Sequence, residues 1–528
     1  MPVLAMMKWM RTLSRCRRTA RLAMAGAALP FALAPVACTP VDARPDYART
    51  RQLVDDRVGA DDVFDPGDPA AAAARVDALL ADGLTVDEAV RIALLNNRDF
   101  QVTLAEIGVS RADFVQSTLW TNPTLALGFN LPEGGGVADF TLGFTQQIAD
   151  LWQIPVRRRM TARQLERTIA QAARQALELT AQVRTQCYDT LALRRAADLA
   201  DQNARLAERI AGAARKQFDA GQVSEYDVNL TRASLLDIRA ELINTRAQLQ
   251  KSQTTLTDQL GLARAPQAVQ LVDELPDAPA DLATDGVLLA CALDRRLDAR
   301  AAELDARAAE DNLALECRRV FPDVQLGLAF ERNEKRAMPG RKIAADTARS
   351  SLEAGRLTAP SIESRGQRGL ARSQIIDAKL GPSLALTLPL WDQNQAQIAK
   401  ARFRALQART RYAQTLDTIA RQVNETLIEA RRTEELVQLY RNDSVPIAEA
   451  TVKGATQLYE AGEQNALALV DAQEKLVTRQ RELVNALRDR AIALANLELA
   501  VGGRLPQANP QPKEHDDESE KPDRPQDD

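Results

Sequence analysis

The chain has 528 residues, a formal net charge of −4, 4% aromatic residues and a single histidine, His515. That balance argues against a basic nucleic-acid-binding face. It also leaves the commonest general base at one C-terminal position, with no nucleophile–base pair in view and no enzyme expected. Alanine, leucine, arginine, glutamine and glutamate dominate, which is the palette of long helices, and the length exceeds one compact domain.

Residues 1–37 read as an export signal. Lys8, Arg11, Arg15, Arg17, Arg18 and Arg21 precede the uncharged run Leu22–Ala37, which is too short for a spanning helix. Without these six basic residues the chain carries a net charge of −10. Cys38 follows the run directly and resembles the acceptor of a bacterial lipoprotein signal, while Ala32-Leu33-Ala34 offers an ordinary cleavage site. Residues 38–83 read as an N-terminal tether that embraces a neighbour or the base of the main body. Cys187, Cys291 and Cys317 form no C-x-x-C pattern, and their plain reading is as small buried residues in helices. Neither a metal site nor a cofactor is expected.

The main body is duplicated, 84–265 and 283–503, around a linker at 266–282. FDAGQVSEYD (218–227) matches YEAGEQNALA (459–468) at an offset of 241, kept by Gly261 and Gly502. Earlier the offset is 199, pairing Ala93-Leu94 with Ala292-Leu293, Asp99 with Asp298, and Pro123 and Gly128 with Pro322 and Gly327. The growth of roughly 40 falls within 331–378, an arginine-rich insertion.

Each half orders its parts as helix, two strands, very long helix, turn, helix. Alternation at period two predicts strands at about 123–131 and 138–148, then 322–330 and 382–391. In each, large apolar residues such as Leu125, Leu127 and Phe129 share one face, while small or polar ones such as Ala126, Gly128 and Asn130 share the other. That division suits a lipid-facing barrel wall better than a sheet on a soluble core. Long helices are predicted at 156–217, about 93 Å at 1.5 Å per residue, and at 223–260, 393–458 and 464–500. Leu165, Ile169, Ala172, Ala176, Val183 and Cys187 recur at spacings of three, four or seven, as do Leu416, Ile419, Val423, Leu427 and Ala430. Such narrow stripes fit coiled-coil seams. Pro446 is expected to break or kink the third long helix, with no counterpart in the first half. Pro132–Val137 reads as a short hairpin turn, and 504–528 as a disordered tail.

Four strands cannot close a barrel alone, and open sheet edges are not tolerated in hydrocarbon. Three copies give twelve strands and a usable pore, with the polar helices continuing the tube outside the bilayer.

Over 84–503 the chain resembles the TolC-type outer-membrane efflux proteins. The resemblance rests on the duplication, on "ALLNNRDFQ…ADFVQSTLWTNPTLALGF" and on two "AG" turns followed by an acidic residue. It implies a homotrimer with a twelve-strand β-barrel in outer-membrane lipid, continued by a long periplasmic α-helical coiled-coil barrel. The implied partners are a periplasmic adaptor and an inner-membrane transporter of the resistance–nodulation–division type. "ALLNNRDFQ" and "DLWQIPVRRR" (150–159) look closest to the heavy-metal branch. The Gly221 and Gly462 turns would then be the adaptor-docking tips. Family selectivity rings fall six and nine residues past the second-half glycine, here Ala468 and Asp471; Asp227 and Glu474 are further constriction candidates. The same topology places 331–378 at the extracellular mouth. An exit duct for type I protein secretion remains the alternative within the fold, and a helical periplasmic scaffold lipoprotein the alternative outside it.

Overall fold

The structure is a computed structural model that describes residues 41–506, apart from 132–138, 222, 264–268, 280–281, 322, 335–340, 360–375, 462–463 and 465. The signal, Cys38, the 132–137 turn, Gly462 and nearly all of the 504–528 tail lie outside the described residues.

Two short helices, α1 (Arg44–Val58) and α2 (Pro69–Leu79), precede the first repeat. That repeat comprises α3 (Val86–Asn96), α4 (Arg98–Thr118), β1 (Thr124–Asn130), β2 (Asp139–Gln147), α5 (Asp150–Asp219) and α6 (Glu225–Gln259). The second comprises α7 (Asp285–Arg295), α8 (Leu297–Arg318), β3 (Val324–Glu334), α9 (Arg341–Ala354) and β4 (Ile376–Leu386). It continues through α10 (Gln395–Leu439), a π-helical turn (Tyr440–Ser444), α11 (Val445–Glu460) and α12 (Ala466–Val501).

Both repeats join their first two helices in the same way. Asn97 caps α4 by accepting from Phe100 N at 3.0 Å, and its amide donates to Gln259 O at the end of α6. In the second repeat Arg296 stands at this junction and donates to Ala500 O, at the matching place in α12. Gly261 turns the chain out of α6 at φ +69°, where a Cβ would meet Asn96 O at 2.4 Å; Gly502 holds φ +89° beside Arg296.

The cores repeat too. Leu256 of α6 and Leu260 at its C-cap are fully buried, as are Leu497 and Val501 of α12, 241 residues on. The stripe on α5 keeps a different offset. Leu179, Val183 and Cys187 correspond in burial to Ile419, Val423 and Leu427, 240 residues on. One residue has therefore been added between Leu427 and Gly462, and the π-helical turn at Tyr440–Ser444 lies between them. A π turn accommodates one extra residue inside a continuing helix. Pro446 follows within two residues, and the wider turn relieves the clash its ring would make with the carbonyl four residues back. The expected break is thus a π bulge through which the helix continues.

Several boundaries differ from expectation. The first long helix starts at Asp150 rather than 156, because the buried Asp150 carboxylate accepts from Thr121 N at 2.7 Å and pairs with Arg157. Pro155 sits inside its first turns, where few helical N–H bonds are lost. β4 spans 376–386 and not 382–391; past Leu386 only Thr387 N bonds back, to Asp323 O, so the apolar alternation outlasts the pairing. The 331–378 insertion is not one loop, since β3 reaches Glu334, β4 begins at Ile376 and α9 is helical. The tether is folded on its own chain. Val54, Ala60, Val63, Ala72 and Val76 join the first-repeat core, and Arg504 N donates to Arg57 O at 3.0 Å. The linker is anchored as well, Leu84 and Leu271 forming a parallel bridge. All three described cysteines lie in helices, but only Cys187 is buried; Cys317 is exposed.

Candidate functional site

The four strands form one antiparallel sheet in the order β1-β2-β3-β4, with β1 and β4 as its edges. Its registers align apolar and polar rows. Leu127, Leu142, Phe330 and Leu380 stand across from one another, and the adjacent row is Ala126, Gly143, Ala329 and Gly381. Leu125, Phe144, Leu328 and Pro382 form another apolar row, beside Thr124, Thr145, Gly327 and Ser383. Among the described residues no side chain of the sheet is buried, and Leu127, Phe129 and Leu384 are 58%, 67% and 68% exposed. A soluble sheet would cover its apolar face. This one leaves it bare, as a wall against lipid does, and its other face is lined mainly by hydrogens, methyls and hydroxyls.

Aromatic rings flank the apolar band. At the end away from the helices Phe129 packs on Phe140 and Phe140 on Phe330, with centroids 5.1 and 6.1 Å apart. At the helix end Trp120, Trp152, Phe321 and Trp391 stand just outside the strands. Aromatic girdles at both borders suit a membrane wall, and the indoles of Trp120, Trp152 and Trp391 at the helix end are the amphipathic rings that favour a membrane–water boundary. No described helix is long and apolar enough to cross a membrane. β3 and β4, eleven residues each, have the length a tilted spanning strand needs.

The opposite end of α5 forms the tip. Gly221 takes φ +72° with open space around it, as expected of a turn glycine. Asp227 is engaged in a capping box. Its carboxylate accepts from Ser224 N and Oγ, at 3.1 and 2.7 Å, while its own N–H donates to Ser224 Oγ. At offset 241 the second repeat has Ala468 instead, so its turn lacks the acid of this device. Asp471 is exposed and ion-paired with Lys475 one turn on, at 2.8 Å. Glu474 is exposed beside a small recess shared with Asn203, Thr231 and Ser234. The three candidate acids are therefore chemically unequal: one is structural, one neutralised along its helix, one open.

The tip also holds a contact that periodicity does not reveal. Tyr459 Oη donates to Gln217 Oε1 at 2.7 Å and joins α11 to α5. Burial raises the Tyr459 phenol above its ordinary range, reinforced by the charge of Asp227. The signal in the sequence is the aromatic that both repeated motifs carry at one place, Phe218 and Tyr459. Above the tip, ion pairs join neighbouring helices: Arg239 with Glu208, Arg246 with Asp201 at 2.9 Å, and Arg481 with Glu241 at 2.7 Å. The arginines of "DLWQIPVRRR" begin with an anchor, Arg157 donating to Ser117 O and Leu119 O at the end of α4.

A bare, two-faced sheet joined to duplicated long helices is the arrangement that decides the family, and the profile of outer membrane efflux proteins matches residues 89–262 and 288–503. The chain belongs to the outer membrane efflux protein family. It is the outer-membrane channel subunit of a tripartite efflux system, passive rather than enzymatic, and it extends into the periplasm. Among characterised proteins it is similar to the cobalt-zinc-cadmium resistance protein CzcC of Cupriavidus metallidurans, 23% identical over 433 residues, covering 80% of this chain and 91% of that one. Its fold is similar to the Campylobacter jejuni CmeC outer membrane channel, with TM-score 0.62, 14% identity and coverage of 80% and 87% of the two chains. CusC gives TM-score 0.60 at 16% identity, covering 80% and 92%.

Proposed function

We propose that three copies of this efflux protein close their sheets into a twelve-strand barrel. The barrel discharges metal cations, delivered by a periplasmic adaptor and a transporter of the resistance–nodulation–division type. The observation that carries this reading is the sheet: one face bare and apolar, the other small and polar, both edges open. Open edges in lipid require partners, and a closed ring of identical subunits supplies them. The small side chains of the inner face would leave an open lumen in such a barrel. The similarity to CzcC supports metal cations as the cargo.

At the tip, the Gly221 turn and its second-repeat counterpart Gly462 dock the adaptor, and Asp471 supplies a carboxylate ring weakened by Lys475. Rings of acidic side chains favour cations. The test is single-channel recording in planar bilayers with the wild type, Asp471→Ala and Lys475→Ala. Uniform cation-selective steps should lose selectivity in the first variant and gain it in the second. Silence from wild type and from the tip-loosening variants Tyr459→Phe and Gln217→Ala alike would reject the pore.

A further inference from the structure

The helices nearest the sheet pack in the order of the strands they adjoin. α4, which leads into β1, packs on α5; α5 packs on α8, and α8 on α10, which follows β4. α4 and α10 are therefore the two margins of a helical wall, as β1 and β4 are of the sheet, and they run in opposite directions. Both margins carry a bare seam at heptad spacing. On α10 it is Ala399, Phe403, Leu406, Thr410 and Ala413, with Phe403 and Leu406 72% and 61% exposed. On α4 it is Val102, Ala105, Val109 and Ala112, all exposed. Narrow apolar rows of this spacing are coiled-coil seams. The charges beside them are opposite. Between Asp392 and Asp417 there is no acid but five basic residues, among them Lys400, Arg404 and Arg411. α4 exposes Asp99, Glu106 and Asp113, seven residues apart. The two charged rows lie on one side of the wall. Arg411 opens onto a recess shared with Arg167 and Arg174 of α5, opposite the Ile169 side that packs in the core with the tether. Glu106 and Asp113 are likewise turned about 200° and 180° around α4 from Leu104, which packs in that core.

We propose that the α10 margin docks on the α4 margin of a second copy, seam on seam, with the basic row of one copy beside the acidic row of the next. This rests on the trimeric barrel proposed above: joining β4 to β1 of a neighbour brings α10 alongside that neighbour's α4. The contact is heterologous, so it closes as the same ring. Pairs between adjacent helices set the height. Ser110 meets Thr168, Arg167 meets Asp305 at 2.6 Å, and Asn394 donates to Glu316 O at 2.8 Å. Carried across the wall, these pairs put Ala112 level with Leu406, and Ala105 with Ala413, to within a helical turn. Glu106 and Asp113 then stand level with Arg411 and Arg404, seven residues apart on both helices.

The experiment uses Ala112→Cys with Leu406→Cys, in a background with Cys291→Ser and Cys317→Ser, treated in native outer membranes with a short bis-maleimide that tolerates an offset of one turn. The two sites lie on opposite margins of one wall, so the double variant should give covalent dimers and trimers and either cysteine alone should give none. Gln171→Cys with Leu406→Cys, which moves one thiol to the inner helix α5, should give several-fold less. In the Ala112→Cys/Leu406→Cys chain, Arg404→Glu with Arg411→Glu should cut the yield several-fold, and adding Glu106→Arg with Asp113→Arg should restore it. Absence of the Ala112–Leu406 product, or an equal yield from the Gln171 variant, overturns the docking. A yield indifferent to the first reversal, or not restored by the second, overturns the match of the charged rows. Amine cross-linking of the wild type keeps the two readings apart: a three-chain species without the thiol product rejects this docking alone, and absence of a three-chain species rejects the barrel itself.

Discussion

Leu127 and Ala126 are neighbours in β1 on opposite faces, so arginine at each in turn tests which face meets lipid. Leu127 is 58% exposed and heads the apolar row that runs through Leu142, Phe330 and Leu380. Arginine on the lipid face near the bilayer midplane costs about 2–4 kcal/mol, falling towards the borders. In the proposed trimeric barrel three copies would bring the penalty to about 6–12 kcal/mol, comparable to the whole stability of a typical domain. Arginine at Ala126, opposite Gly143 on the face proposed to line the lumen, should cost little. The assay is denaturant unfolding of each variant folded into vesicles, followed by tryptophan emission. Leu127→Arg should fold poorly or unfold at much lower denaturant, and Ala126→Arg should track the wild type. Equal penalties, or a greater one at Ala126, would refute the assignment of faces.

Further outcomes follow from individual contacts. Deleting Asn442 removes the additional residue and forces Pro446 into an α-helical interior, at about 3 kcal/mol; adding Pro446→Ala should recover most of the loss in thermal melts. Gly261→Ala, at φ +69° with Asn96 O in its path, should destabilise by more than about 1 kcal/mol. Gly212→Ala, in open space on α5, should stabilise by about 0.5–1 kcal/mol, both read from denaturation midpoints. Burial pushes the Cys187 thiol up to about 12, so a maleimide at neutral pH should label the exposed Cys317 and spare Cys187 until the protein unfolds. Because that folded-state value is raised, the thiol's contribution to stability is intact below its unfolded value and declines as pH rises above it, which alkaline melts of Cys187→Ala against wild type would show.

The sequence made the sheet legible because a wall between lipid and water leaves a strict period of two; Leu125–Phe129 needed only counting. Helix identities were equally plain in Leu165–Cys187, where a narrow seam repeats without proline. What stayed hidden depends on pairing and on single bonds. The ends of β4 are set by how far β3 extends, so Leu388 and Leu390 alternate convincingly yet lie past Leu386. The π turn leaves no composition signal; it emerges only when burial shows Val183 answering Val423 at 240 while Leu256 answers Leu497 at 241. Among the site residues, Gly221 was visible because a turn needs its positive φ. The roles of Asp227 as a cap and of Lys475 as the partner of Asp471 required coordinates.

The boundary ring Trp152 belongs to the first turn of α5, and the Gly221 turn, proposed above to dock the adaptor, follows its last residue. A single uninterrupted rod of 70 residues, about 105 Å at 1.5 Å per residue, thus has one end moored to the bilayer surface. The depth at which its partners must meet it is written into the chain as a residue count. Insertions or deletions in α5 would change that reach in steps of about 1.5 Å while turning the far end by about 100° each. The helix works as a ruler, and a homologue with a deeper periplasm to cross would have to lengthen it in whole turns.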